Sequence, residues 1–181
     1  MPCALRSFLR ALHRNPLVLP YYLPGLILST AWGLLTPVLP LYAKELGASY
    51  GAVGLVLAGE GLGLLIGDIP GGVLINRVGH KRTMLLGLAV VILATTSLSW
   101  APTVWVAVPL RILSGFGHAL FGVTQHTYIA SAVSLGARGR AIALHGGIQR
   151  IGAFLGPMAG GAFAAVLGLR PTFLLFGATG L

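Results

Sequence analysis

The 181-residue chain reads as an all-α membrane protein of six spans, the sixth incomplete, with no folded domain outside the bilayer. Three observations predict this class. Apolar residues make up 56% of the chain and charged residues 8%, which leaves too few charges to cover the exterior of a water-soluble domain. Those charges gather in short breaks between apolar runs instead of alternating with them. The runs are also long enough, because about 20 residues at about 1.5 Å each cross a hydrocarbon core of roughly 30 Å.

In chain order the spans fall near 17–43, 50–75, 83–100, 104–133, 141–167 and 171–181, preceded by a basic tail over 1–16. The gaps are short, so consecutive helices are expected to run antiparallel. The first run is longer than that of a secretory signal and meets Lys44-Glu45 with no small-residue cleavage site, so a retained helix is expected. The last run differs from the others: from Pro171 to Leu181 a helix extends about 16 Å, half the hydrocarbon thickness. The chain is therefore expected to stop inside its sixth span.

A net charge of +9 invites a nucleic-acid reading, and the placement of the charges argues against it. Arg6, Arg10 and Arg14 precede the first span, Arg77, Lys81 and Arg82 separate the second and third, and Arg138 and Arg140 separate the fourth and fifth. All of these lie on one side. The other side holds Lys44, beside Glu45, and Arg170. The positive-inside rule then puts the N-terminus and both basic loops in the cytoplasm, with the lipid bilayer as the partner of the chain and no basic, aromatic face for nucleic acid. The single cysteine, Cys3, allows no internal disulfide, and the sequence predicts no metal centre and no cofactor.

Glycine placement says more than glycine abundance. Gly59, Gly63, Gly67 and Gly71 recur every four residues in the second span, and Gly152, Gly156 and Gly160 do so in the fifth. Each set makes a smooth stripe along which another helix backbone can approach closely. Ordinary bundle packing explains any one of them; two long stripes suggest surfaces suited to close packing and sliding. Gly59-Glu60-Gly61-Leu62-Gly63 superficially suggests a dinucleotide loop, but the third glycine of that fingerprint is missing and no strand precedes it.

At the end of the second span stands Gly72-Val73-Leu74-Ile75-Asn76-Arg77-Val78-Gly79-His80-Lys81-Arg82. Gly79 permits a tight reversal, and Arg77, Lys81 and Arg82 hold the loop in the cytoplasm. Arg111-Ile112-Leu113-Ser114-Gly115-Phe116-Gly117 follows in the fourth span, then Gly152 and Gly156-Pro157-Met158-Ala159-Gly160-Gly161 in the fifth. In order and spacing these segments resemble the signature motifs of the major facilitator superfamily, the last of them the motif of its antiporter branch. The resemblance covers essentially the whole chain. It implies the N-terminal six-helix half of a transporter, a gating loop at Gly72, Asn76, Arg77, Gly79, Lys81 and Arg82, and a missing C-terminal half as partner. One position departs from the pattern: Asn76 stands where the family usually has aspartate. Asparagine can cap a helix end but supplies no negative charge to a gating contact, which implies a weaker inward gate. Pro157 is expected to kink the fifth helix, with neighbouring glycines letting another helix close over the bend.

Charges inside spans cost about 2.5 to 3.5 kcal/mol each on insertion scales, so Glu60, Asp68, Arg111 and Arg150 need partners or water. Depth pairs them: Glu60 lies about 15 Å and Arg111 about 12 Å below the outer ends of their spans, while Asp68 and Arg150 lie about 12 and 15 Å from the inner ends. Two layers, Glu60 with Arg111 and Asp68 with Arg150, are expected. On the fourth helix Arg111, Ser114, His118 and Gln125 share one face. The resemblance implies that the first and fourth helices line a central cavity, so this stripe is the candidate substrate wall, joined by Trp32 and Thr36 and extended by His145 and Gln149. Glu60 and Asp68 are the carboxylates within the spans that could carry a proton.

The function implied is alternating-access transport of a small solute, in its most specific form export of a drug-like or amphiphilic compound against protons. A membrane scaffold or receptor keeping the same fold is the alternative. An enzyme is not expected, because no zinc-protease helix motif and no nucleophile elbow occurs.

Overall fold

The computed structural model describes residues 22–179, so the basic tail 1–16 and the start of the first expected span lie outside the described residues. The elements are α1 (Leu23–Glu45), α2 (Tyr50–Val78), α3 (His80–Ser97) with a 3-10 turn over Leu98–Trp100, α4 (Val104–Ala132), α5 (Leu135–Leu167) and α6 (Leu169–Thr179). Five of the helices are long and apolar enough to cross a membrane. No strand occurs among the described residues, which removes any dinucleotide fold around Gly59-Glu60-Gly61, all of it helical here.

Local chemistry sets the boundaries. Ser49 caps α2, its hydroxyl accepting from Ala52 N at 3.3 Å. Gly47, Gly79 and Gly168 take φ of +77°, +86° and +89°, the left-handed region that lets the chain leave a helix and reverse. Gly79 closes α2 by donating its N–H to Ile75 O at 2.9 Å, so Asn76 sits inside the last turn and is not the cap. One boundary differs by a full turn or more. The fifth helix begins at Leu135, not near 141, and takes in Arg138 and Arg140. At 33 residues it is about 50 Å long, so it outreaches the hydrocarbon and carries these arginines into water in helical form. Arg138 Nε also bonds Val133 O at 3.1 Å, covering a carbonyl at the end of α4.

The closest packing is between α2 and α4, then between α1 and α5, with α3 against the back of α4. Both glycine stripes are consumed here. Gly59, Gly63, Gly67 and Gly71 are buried against α4, and Gly152, Gly156 and Gly160 against α1. A Cβ on Gly63 would overlap Ile112 O, and one on Gly156 would come within 2.5 Å of Gly33 Cα and Thr30 O, so backbone meets backbone along both seams. Pro157 lies against Gly33, where a Cβ would stand 3.1 Å from its ring Cδ. Gly72 and Gly161 are outside the seams, with open space where a Cβ would go.

At the end away from the basic loops, Tyr42 is fully buried, donates to Leu98 O and Ala101 O, and packs edge-on to Phe173 at 4.9 Å, tying α1, the 3-10 turn and α6 together. Leu65, Ile69, Phe154 and Val166 instead point outward from α2 and α5. In a bilayer such faces are soluble in lipid tails.

Candidate functional site

The tight α2 to α4 seam decides where charge can be met. A Cβ on Gly115 would strike the Glu60 carbonyl, so the two backbones touch at the level of Glu60 and its side chain reaches α4 directly. One carboxylate oxygen of Glu60 forms an ion pair with Arg111, which is 3% exposed, and the other lies 3.1 Å from His118 Nδ1. The first expected layer is thus present, with an addition. Arg111 and His118 are seven residues apart, nearly two turns, so both fall on one face and Glu60 sits between them. That spacing was the available signal for a shared carboxylate.

His118 is in turn stacked on Trp32 of α1, ring centroids 3.8 Å apart and planes 21° from parallel, and Phe121 meets Trp32 edge-on at 5.8 Å. Trp32, His118 and Phe121 open onto a cavity of about 410 Å³ whose other polar lining is Asp68, Gln125, His126 and Gln149. Four helices contribute to it: α1, α2, α4 and α5. The wall combines aromatic faces with one carboxylate, Asp68, that sits on an exposed position of α2.

The second expected layer does not form. Among the described residues Glu60 pairs with Arg111, and the ring nitrogen of His118 meets the same carboxylate. Asp68 and Arg150 are both exposed and lie on α2 and α5, which pack against α4 and α1 respectively and not closely against each other. Equal depth puts two groups in one plane, but it says nothing of azimuth. Gln149, the neighbour of Arg150, is the α5 residue that reaches the cavity, and its amide is 2.9 Å from Nε2 of buried His145. His145 meets His126 edge-on at 5.9 Å.

The remaining expected residues separate by position. Ser114 is buried and shares a 3.1 Å hydrogen bond with Thr95 of α3, so it braces the back of α4 and does not line the cavity. Thr36 is exposed and lies outside the cavity lining. Asn76, Arg77, Lys81 and Arg82 are exposed around the α2 to α3 turn, with Gly72 and Gly79 half-buried beside them. Gly152, Gly156 and Gly160 serve the α1 seam. Phe121 and His126 are the aromatic lining residues that the sequence analysis did not single out; both follow His118 on α4, three and eight residues on.

A bundle of membrane-length helices joined by close glycine seams, with a part-buried ion pair beside a cavity, defines an integral multi-pass membrane protein. The model of the Major Facilitator Superfamily matches residues 22–181, and the chain belongs to that superfamily. Among curated relatives, the chain is 26% identical over 173 residues to the multidrug resistance protein MdtG of Citrobacter koseri, covering 93% of this chain and 43% of that protein. The proteins of the same name from Salmonella arizonae and Salmonella newport are 27% identical over 174 residues, with the same coverages. The chain spans less than half the length of these relatives.

Proposed function

We propose that this chain forms the N-terminal half of a secondary transporter that exports a small amphiphilic cation by alternating access, with its basic loops and N-terminus in the cytoplasm. The observation that carries the reading is the cavity: aromatic rings of Trp32 and Phe121 beside the carboxylate of Asp68, within helices long enough to span a membrane. Aromatic faces and an acid are the partners of a cation with an apolar body. The MdtG relatives, named as multidrug resistance proteins, support a drug-like solute. The outward apolar faces of α2 and α5 are where a second six-helix half would seat, closing the cavity from the opposite side.

Reconstitution in liposomes tests this, with the chain alone and with a second half supplied in the same membrane, following a cationic dye under a proton gradient. Dye movement that Asp68→Asn abolishes in a folded protein supports the reading. A folded, two-half protein that moves no dye and binds none sinks it.

A scaffold or receptor is the second reading, favoured by Asn76. An exposed amide in place of the usual acid deprives the gating loop of a charge, which a protein that does not cycle would not need.

A further inference from the structure

We propose that His126 of α4 and His145 of α5, together with the amide of Gln149, make an exchangeable site for a divalent transition-metal ion of the Zn²⁺, Ni²⁺ and Cu²⁺ class at the basic-loop end of the cavity, and that the bound ion ties α4 to α5. The two rings come from helices that otherwise touch little, since α4 packs on α2 and α3 while α5 packs on α1. Their centroids are 5.9 Å apart, with the planes at 89°. Two imidazoles on one tetrahedral metal, each bound at about 2.1 Å, hold their centroids about 5 Å apart, so the pair has to close by less than about 1 Å.

The nitrogen positions suit such a site. His145 is 2% exposed and is held by Gln149, one turn on, whose amide donates to Nε2 at 2.9 Å. The lone pair of Nε2 therefore points toward a residue of the cavity wall. His126 stands exposed on the same wall, where its ring has room to turn a nitrogen toward that lone pair. Turning over the Gln149 amide presents its oxygen as a third ligand, and water supplies a fourth.

Ring packing alone is the competing account, and the chemistry of the wall favours the metal. Neutral imidazole nitrogens suit Zn²⁺, Ni²⁺ and Cu²⁺, whereas Mg²⁺ and Ca²⁺ take oxygen ligands. Among the described residues the cavity lining carries no lysine or arginine to repel a dication, and Asp68 adds a negative charge to it. No third histidine, cysteine or carboxylate joins the pair among the described residues, so the ion exchanges with the medium instead of residing permanently. Its effect is mechanical: it links the α2 to α4 seam with the α1 to α5 seam.

Isothermal titration of Zn²⁺ into the purified chain, free of any polyhistidine tag and held in detergent micelles, tests the site. Wild type is expected to take up a single ion in the micromolar range, to unfold at a higher temperature with Zn²⁺ bound, and to keep it against about a hundredfold excess of Mg²⁺. His126→Ala and His145→Ala are each expected to weaken binding by at least about tenfold. Should the buried His145 variant misfold, exposed His126 decides. Electron paramagnetic resonance of bound Cu²⁺ is expected to show two imidazole nitrogens in wild type and one in His126→Ala. Undiminished binding in His126→Ala overturns the proposal, whether the ion is then released by His118→Ala, which places it beside Glu60, or by His13→Ala with Cys3→Ser, which places it on the N-terminal tail. Wild type that takes up no Zn²⁺ overturns it equally and leaves the rings as packing.

Discussion

Glu60 and Asp68 stand on the same helix, eight residues and about 12 Å apart, yet one is enclosed by partners and the other borders a cavity. The difference lies in which α4 side chains stand at each level. Beside Glu60 the seam is backbone on backbone: a Cβ on Gly63 would overlap Ile112 O, and one on Gly115 would strike Glu60 O. It stays close at Gly67, where a Cβ would lie 2.9 Å from Phe116 O, and relaxes at Gly71, where one would meet Leu120 and Val123 at 3.4 to 3.8 Å. Arg111 and His118 reach Glu60, whereas Ala119, Gly122 and Val123 stand beside Asp68 on the cavity wall and offer it no charge. A single glycine seam therefore borders both a neutralised layer and an open one.

The sharpest way to break this contrast is to strip Glu60 of its cation. Arg111→Ala is expected to destabilise the protein by about 3 to 5 kcal/mol, because it strands a partly buried carboxylate. Thermal unfolding in detergent measures it, and Glu60→Gln combined with Arg111→Met should recover most of the loss. An Arg111→Ala protein as stable as wild type would mean that the outer layer is solvated after all.

Next in size is the seam. Gly63→Ala is expected to cost about 2 to 3 kcal/mol, since backbone cannot yield, whereas Gly71→Ala, at ordinary contact distance, should cost less than about 1 kcal/mol. Equal losses at the two positions would show that α2 and α4 do not diverge. Trp32→Ala removes the stack on His118 and is expected to cost about 1 kcal/mol beyond lost burial, read by a double-mutant cycle with His118→Ala.

The smallest expected effect sits at the open layer. Asp68→Asn should shift unfolding by less than about 0.5 kcal/mol while removing cation binding, and exchanging the charges of Asp68 and Arg150 should show no coupling. A coupling above about 1 kcal/mol would restore the second pair.

Much of this was legible without coordinates, because insertion into a bilayer acts on local composition. Apolar length gave the spans, Gly79 the reversal after α2, and charge scarcity the need of Glu60 for a partner. The early start of α5 was hidden, since Leu135 to Arg140 is polar enough to read as loop yet contains nothing that forbids a helix. Rise per residue matched Glu60 to Arg111 and equally matched Asp68 to Arg150; only the first match was real.

What the sequence determined by itself is thus the membrane class, the order of helices and the two smooth faces, all properties of single segments. Tertiary structure decided which faces meet. The strongest seams join helices one and five and helices two and four, which are not neighbours in the chain. That choice, made by the fit of backbone against glycine, places His118 between Glu60 and Trp32, sends Ser114 to the back of α4 and leaves Asp68 on the cavity wall. The azimuth of a side chain about its helix acquires meaning only when a second helix arrives.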